Sequence, residues 1–392
     1  MSLPRFKEIN RCLRFDDKEQ RDRHRDKLAP IRFIFDKWVQ RLKVSYCVGD
    51  FVTVDEQLVP YRGRSPFTQY IPSKPAKYGL KLWVAADAET FYAYNMQVYV
   101  GRDRNCATEV NQGQRVVLDM TEGLNGRNVT CDNFFTSRNL AIELKKRQIT
   151  LVGTIRKNRK EIPPLLVDMK KKPVHHTEVL YDHHARACML SYVPKKRKFV
   201  SLYSTYHSAV HIEDTDPEKK PDVIKFYNRT KGGVDVLDKL VGTYRCKRKV
   251  NRWPIALFCN MLDVSASNAY IIFVKLNPEW NISKKGIRRR LFLIEVGESL
   301  CVPSIEQRKH MPRCSNAVAV IQRVRNIASE GPSTSQSSRH SMSRTPKSNK
   351  RARCYMCPSK SNANIYSARC DKCAKYICPA HRYIFCEKCT EP

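Results

Sequence analysis

Four aspartates stand out by type and spacing. Asp55 lies in "VDEQLV", Asp132 in "TCDNFF", and Asp235 and Asp238 in "KGGVDVLDKL". The last two, three residues apart, share one face of a helix. Singly, each is what a turn or helix cap contains. Together they suggest a site for a hard, partly hydrated cation, Mg²⁺ or Mn²⁺, held by carboxylates. Two such ions about 4 Å apart clamp the attacking and leaving oxygens of a phosphodiester.

A second set of candidate ligands ends the chain. Seven of the 16 cysteines lie between Cys354 and Cys389, in "CYMC", "CDKC", "CPAH" and "CEKC". Each segment separates its two outer residues by two. The set is Cys354, Cys357, Cys370, Cys373, Cys378, His381, Cys386 and Cys389. Eight ligands fill two tetrahedral Zn²⁺ sites. The start of the chain carries charge throughout and has no secretory pattern, so metal is preferred to disulfides. Pair order suggests a cross-brace, the first pair with the third and the second with the fourth; sequential pairing is the alternative. His175/His176 and His183/His184 have no thiolate at ligand spacing and read as loop residues.

The elements that must position the aspartates follow from period. Residues 1–49 read as helical, with Ile31, Ile34, Phe35, Trp38 and Leu42 three and four apart. Residues 50–156 read β-β-β-α-β-α-β, beginning with an antiparallel meander. Asp55 is expected at the end of the first strand and Asp132 on the fourth. Ser137 is the expected cap of the following helix. Residues 157–225 read as a β-rich insertion. Residues 226–325 return to helices: one opens at Asp235, and another covers about 303–325. Residues 326–353 are a Ser-, Pro- and charge-rich linker that would span about 30 Å as a coil. Residues 354–392 form the cysteine module. Three carboxylates from two central strands and one later helix match an RNase H-like core, giving an α/β (α+β) fold with a small zinc-binding domain.

Composition points to a polyanion. Lys plus Arg number 72 against 38 Asp plus Glu, a net charge of +34 spread along 392 residues. Distributed Lys and Arg suit nucleic-acid phosphates better than an anionic membrane. The most apolar stretch, "ALFCNMLDVSASNAYIIFVKL", contains Asn260, Asp263 and Asn268 and reads as a buried helix.

Several long segments carry a resemblance: "VDEQLVPYRGRSPFTQYIPSKPAKYGLKLW" (54–83), "RNVTCDNFFTSRNLA" (127–141), "LVGTIRKNRKEIP" (151–163), "FYNRTKGGVDVLDKL" (226–240) and "RKVNRWPIALF" (248–258). The chain resembles the piggyBac transposases and their domesticated descendants over nearly its whole length. The resemblance implies an RNase H-like nuclease-integrase core whose acidic triad falls on Asp55, Asp132 and Asp235. It implies a further acid at Asp238, which sits one turn along and is expected to tune charge rather than ligate metal. The implied reaction is cut-and-paste transposition through a DNA hairpin into a TTAA target, by a homodimer acting on double-stranded DNA in the nucleus. Members of the family usually carry a substantial region before the point where this chain starts, so truncation is expected.

The basic segments then acquire roles. Arg62, Arg64, Lys74 and Lys77 follow the first acidic strand, and Arg245, Lys247, Arg248, Lys249 and Arg252 follow the third acid. All are candidate phosphate contacts. "PKKRK" (194–198) reads as a nuclear-import run or a hairpin loop touching DNA, and "KSNKRAR" (347–353) as the better import run. The resemblance implies that the cysteine module reads terminal DNA, with Lys360, Arg369, Lys372, Lys375 and Arg382 available for phosphates, rather than acting as a ubiquitin ligase. A DNA-binding or chromatin protein that keeps the fold without the reaction is the alternative.

Overall fold

The structure is a computed structural model. It describes residues 3–17, 19, 26–101, 109–329, 352–357, 365–369 and 375–381. The chain divides into two compact units, Met1–Cys301 and Val302–Pro392.

In the first unit, two helices, α1 (Leu3–Cys12) and α2 (Arg32–Ser45), precede strands β1 (Phe51–Pro60), β2 (Thr68–Tyr70), β3 (Tyr78–Asp87) and β4 (Ala93–Val98). Then come α3 (Gln112–Met120), β5 (Asn128–Cys131), α4 (Arg138–Lys146), β6 (Thr150–Thr154) and α5 (Pro164–Val167). Strands β7 (Thr177–Asp182), β8 (Ala187–Lys195) and β9 (Lys198–Ser204) lead to α6 (Asp222–Thr230), α7 (Gly233–Thr243) and α8 (Trp253–Leu276). Among the described residues these strands form one sheet in the order β2-β3-β1-β5-β6-β9-β8-β7, with β4 beside β3. β1 pairs antiparallel with β3, whereas β1, β5 and β6 run parallel.

Alternation along the strands builds two cores. Val52 and Val54 face the layer of α3 and α4, together with Trp83, Val117, Leu140 and Leu144. Val59, Leu80, Leu82 and Val84 face α2, α7 and α8, against Phe35, Val234, Leu237, Leu257 and Met261. Ser137 caps α4 by accepting from the Leu140 N–H at 3.1 Å, as the sequence suggests. Helix α8 is long and apolar enough by composition to cross a membrane. Two of its asparagines are nonetheless engaged with the sheet: Asn268 donates to Ala93 O at 3.0 Å and Asn260 to Gln57 Oε1 at 2.9 Å.

Within the expected β-rich insertion, β9 pairs with β6 and carries β8 and β7 onto the same sheet. Two expectations change. Asp55 lies mid-strand, because β1 continues through the apolar Leu58 and Val59 and stays paired with β3 to Pro60. Asp132 lies just past β5, not on it. Its side-chain Oδ1 accepts from the Phe134 N–H at 2.8 Å, and its carbonyl accepts from the Thr136 N–H at 3.1 Å. That turn chemistry ends the strand.

The second unit begins inside α9 (Arg288–Glu306) and continues with α10 (Ser315–Ser329). The helix expected over 303–325 is therefore two helices, with a break at "QRKHMPRC". Pro312, which lacks an N–H and constrains its predecessor, falls in that break. A two-stranded ribbon follows, β10 (Ala352–Arg353) with β11 (Ile365–Tyr366).

Close packing accounts for the second of the paired glycines, Gly233. A Cβ there would lie 2.4 Å from Thr53 Oγ1 and 2.9 Å from Thr53 Cβ, so α7 meets β1 at a distance only glycine allows. Gly233→Ala should push α7 off β1 and lower stability by about 1–3 kcal/mol, measured by urea unfolding; an unchanged midpoint would refute the close contact.

Candidate functional site

Parallel pairing brings the first two acids together. Val54 is in register with Cys131, so Asp55 and Asp132 follow side by side. The third and fourth come from α7, which rests on β1 through Gly233. Buried hydroxyls fix the approach: Thr53 Oγ1 donates to Thr230 O at 2.6 Å, and Thr130 Oγ1 to Thr230 Oγ1 at 2.8 Å. The break between α6 and α7 is thereby tied to both acid-bearing strands.

Asp235 and Asp238 then separate in role. Asp238 is half-buried and accepts from Gln57 Nε2 at 2.6 Å. Asn260 in turn donates to Gln57 Oε1, completing a buried chain from β1 through Gln57 to α7 and α8. The Asp235 side chain is 69% exposed and meets Lys74 Nζ at 3.5 Å. Sequence reading missed Gln57 and took Asn260 only as part of a buried helix, although Gln57 was legible as the residue two along from Asp55 and so on the same strand face.

The electrostatics follow from this crowding. Burial pushes the Asp55 carboxyl up to about 7; Glu56 and Asp132 add to the shift, and Lys74 opposes it. Burial likewise raises Asp132, with Glu56 adding, against the Phe134 N–H bond. Burial carries Asp238 up to about 6 despite the Gln57 bond and Lys74. For Lys74, burial pulls downward, but Asp55, Asp235, Asp238 and Glu56 outweigh it and its pKa is raised. On the opposite strand face, Glu56 is held by Lys81 at 3.7 Å, whose ammonium lies 3.9 Å above the Trp83 ring.

A cavity of about 430 Å³ opens beside the acids, lined by Gln57, Lys74, Asp235, Asp238, Arg245 and Asn260 among others. Arg62, Arg64, Lys77, Arg245, Arg248 and Lys249 are exposed. Three other candidate phosphate contacts turn inward. Lys74 donates to Glu56 O, Lys247 donates to Pro60 O, and Arg252 donates to Leu13 O and Asn10 O at the end of α1. Their charges satisfy backbone carbonyls. The run 194–198 forms the exposed turn between β8 and β9.

The carboxylates fit a hard cation by donor type: oxygen ligands, anionic, and partly withdrawn from water. They are not gathered to mutual ligand distance. Among the described residues, the group of three or more His, Cys, Asp or Glu with all ligand atoms within 4.8 Å is Cys354, Cys357, Cys378 and His381. Within it, Cys378 Sγ lies 3.2 Å and Cys357 Sγ 3.7 Å from His381 Nδ1, and Cys357 and Cys378 sulfurs are 3.8 Å apart. Three sulfurs and one nitrogen suit a closed tetrahedral site. The first pair thus lies with the third, the grouping that a cross-brace needs for one of its two sites. Cys370, Cys373, Cys386 and Cys389, like Lys360, Lys372 and Arg382, lie outside the described residues.

A model of the family described as transposase IS4, of piggyBac type, matches residues 1–270, well over half of the chain. The chain belongs to the piggyBac-type transposase family. It is similar to a solved piggyBac transposase synaptic complex with hairpin DNA, at 35% identity and a TM-score of 0.72, over 99% of this chain and 80% of that one. It is 27% identical over 252 residues to the human piggyBac transposable element-derived protein 3, covering 60% of this chain and 42% of that protein. Human piggyBac transposable element-derived protein 2 is 21% identical over 285 residues, covering 68% and 47%. The chain thus spans less than half the length of these human relatives. Membership of a transposase family implies dependence on a divalent metal.

The raised Asp55 pKa has a signed consequence for the metal-free protein. Below about pH 4 the carboxyl is protonated in both states. Between there and about 7 the unfolded chain has released its proton while the native site retains it, so stability falls as pH rises; above 7 the loss is complete. Asp55→Asn, measured in EDTA by urea unfolding, should gain on the wild type from about pH 4 to 7, by up to roughly 4 kcal/mol. A difference independent of pH would contradict the shift.

Proposed function

We propose that this protein is a metal-dependent DNA transposase that cleaves and rejoins DNA strands, with Asp55, Asp132 and Asp235 as cation ligands. The observation that supports it most is the parallel register that sets Asp55 beside Asp132 under the start of α7. A divalent cation bound there would supply Lewis-acid activation and charge neutralisation for in-line displacement at phosphorus. The protein's own part is positioning. Asp55 and Asp132 offer anionic oxygens from adjoining strands, and Asp235 brings a third, solvent-accessible carboxylate from the helix. Asp238, engaged by Gln57, adds negative charge and holds α7 to β1. Arg62, Arg64, Lys77, Arg245, Arg248 and Lys249 grip phosphates and orient the strand.

Under this reading the substrates are transposon ends and a TTAA target, a homodimer carries out the reaction, and the site of action is the nucleus, with the basic run 347–353 as the import candidate and the exposed basic turn at 195–198 as an import run or a DNA contact. The cysteine module binds two Zn²⁺ and contacts DNA. A second reading, an element-derived DNA-binding protein without strand transfer, draws support from the two human relatives named as element-derived proteins.

Strand cleavage of duplex DNA bearing the element ends separates the two. Asp55→Asn, Asp132→Asn and Asp235→Asn should each reduce Mg²⁺-dependent cleavage by more than about 100-fold while DNA binding persists. Full cleavage in all three variants would sink the assignment, and DNA binding without cleavage by the wild type would favour the second reading. Elemental analysis of the full chain should find about two zinc ions, with Cys378→Ser removing one; no zinc, or no loss in the variant, would refute the metal module.

A further inference from the structure

Lys74 is placed unlike a phosphate contact on a surface. Its side chain is only 16% exposed. Nζ donates to Glu56 O at 3.1 Å and lies 3.5 Å from Asp235 Oδ1. It shares the wall of the 430 Å³ cavity with Asp235 and Asp238. Asp55, Asp235, Asp238 and Glu56 all act on it electrostatically. The ammonium therefore stands among carboxylates where, on the function proposed above, a divalent cation would bind.

Its backbone is fixed by the turn, and its side chain is held by two contacts at Nζ. The turn 71–77 is closed on itself: Lys74 N–H donates to Ile71 O at 3.2 Å, Lys77 N–H to Lys74 O at 3.0 Å, and Ile71 N–H to Lys77 O at 2.7 Å. The Nζ bonds are to one carbonyl and one exposed carboxylate. A flexible four-carbon stem can leave both without unfolding anything.

We propose that Lys74 is a displaceable counter-cation of the acidic site. It neutralises the carboxylates while no divalent ion is bound, and it swings into the adjoining cavity when one binds. The two cations exclude each other because both need Asp235, and because like charges a few ångströms apart repel strongly away from bulk water. A DNA phosphate in the cavity would receive the released ammonium, so that loading of the ion and seating of the strand favour each other. Lys74 is a positioning residue on this account, acting through the occupancy of the site.

The test is Mn²⁺ binding to the zinc-loaded full chain without DNA, followed by the electron paramagnetic resonance of free Mn²⁺. Lys74→Met should bind Mn²⁺ at least about fivefold more tightly than the wild type. Lys74→Arg, which keeps the charge, should stay close to the wild type. If the Met variant does not fold, Lys74→Gln retains an N–H donor for Glu56 O and gives the same comparison. Unchanged or weaker Mn²⁺ binding in the neutral variants overturns the inference, as does equal tightening by Arg. Asp55→Asn and Asp132→Asn locate the fault. If they weaken Mn²⁺ binding and Lys74→Met does not strengthen it, only the Lys74 inference fails; if they leave it unchanged, the metal-site reading falls with it.

Discussion

Two carboxylates are forced together by a hydrogen-bond ladder. Once β1 and β5 pair in parallel with Val54 opposite Cys131, Asp55 and the turn residue Asp132 follow from neighbouring strands. The repulsion and lost hydration are borne by the packed cores on both sides of the sheet, much as active sites elsewhere are held by surroundings that outweigh their local strain. The surrounding groups share the load. The turn at Phe134 solvates Asp132, Lys81 restrains Glu56 on the reverse face, and Lys74 faces Asp55 from across the site.

The third acid is placed by shape rather than charge. Glycine at 233 lets α7 touch Thr53, and Thr230 is gripped from both strands. Asp235 therefore needs no bond to β1 to be held above it, which leaves its carboxylate exposed. The fixed end of the helix carries Asp238 instead, through Gln57 and Asn260. One helix thus presents an anchored acid and an accessible acid one turn apart.

Much of this was legible in the sequence. Alternation in "DFVTVDEQLV" and "YGLKLWVAAD" foretells the meander, and Ser137 marks its helix start. The spacing of the terminal Cys and His residues foretells the cluster at Cys354, Cys357, Cys378 and His381. What escaped depends on partners distant in sequence. The strand end at Cys131 is set by a side-chain turn that local apolar character conceals. The inward turn of Arg252 depends on carbonyls near residue 10. The sheet membership of residues 177–204 is fixed by an edge, β6, that no local pattern identifies as open.

That last pairing changes what kind of insertion this is. Strand β9 closes the hydrogen-bonding edge of β6, and β8 and β7 move the free edge of the sheet two strands further out. Removing residues 177–204 would bare the backbone of Val152 to Thr154 and uncover the apolar side chains that Leu190, Leu202 and Phe226 share with Val152. A bare strand of this kind is a template for self-association. The segment is therefore a border of the core.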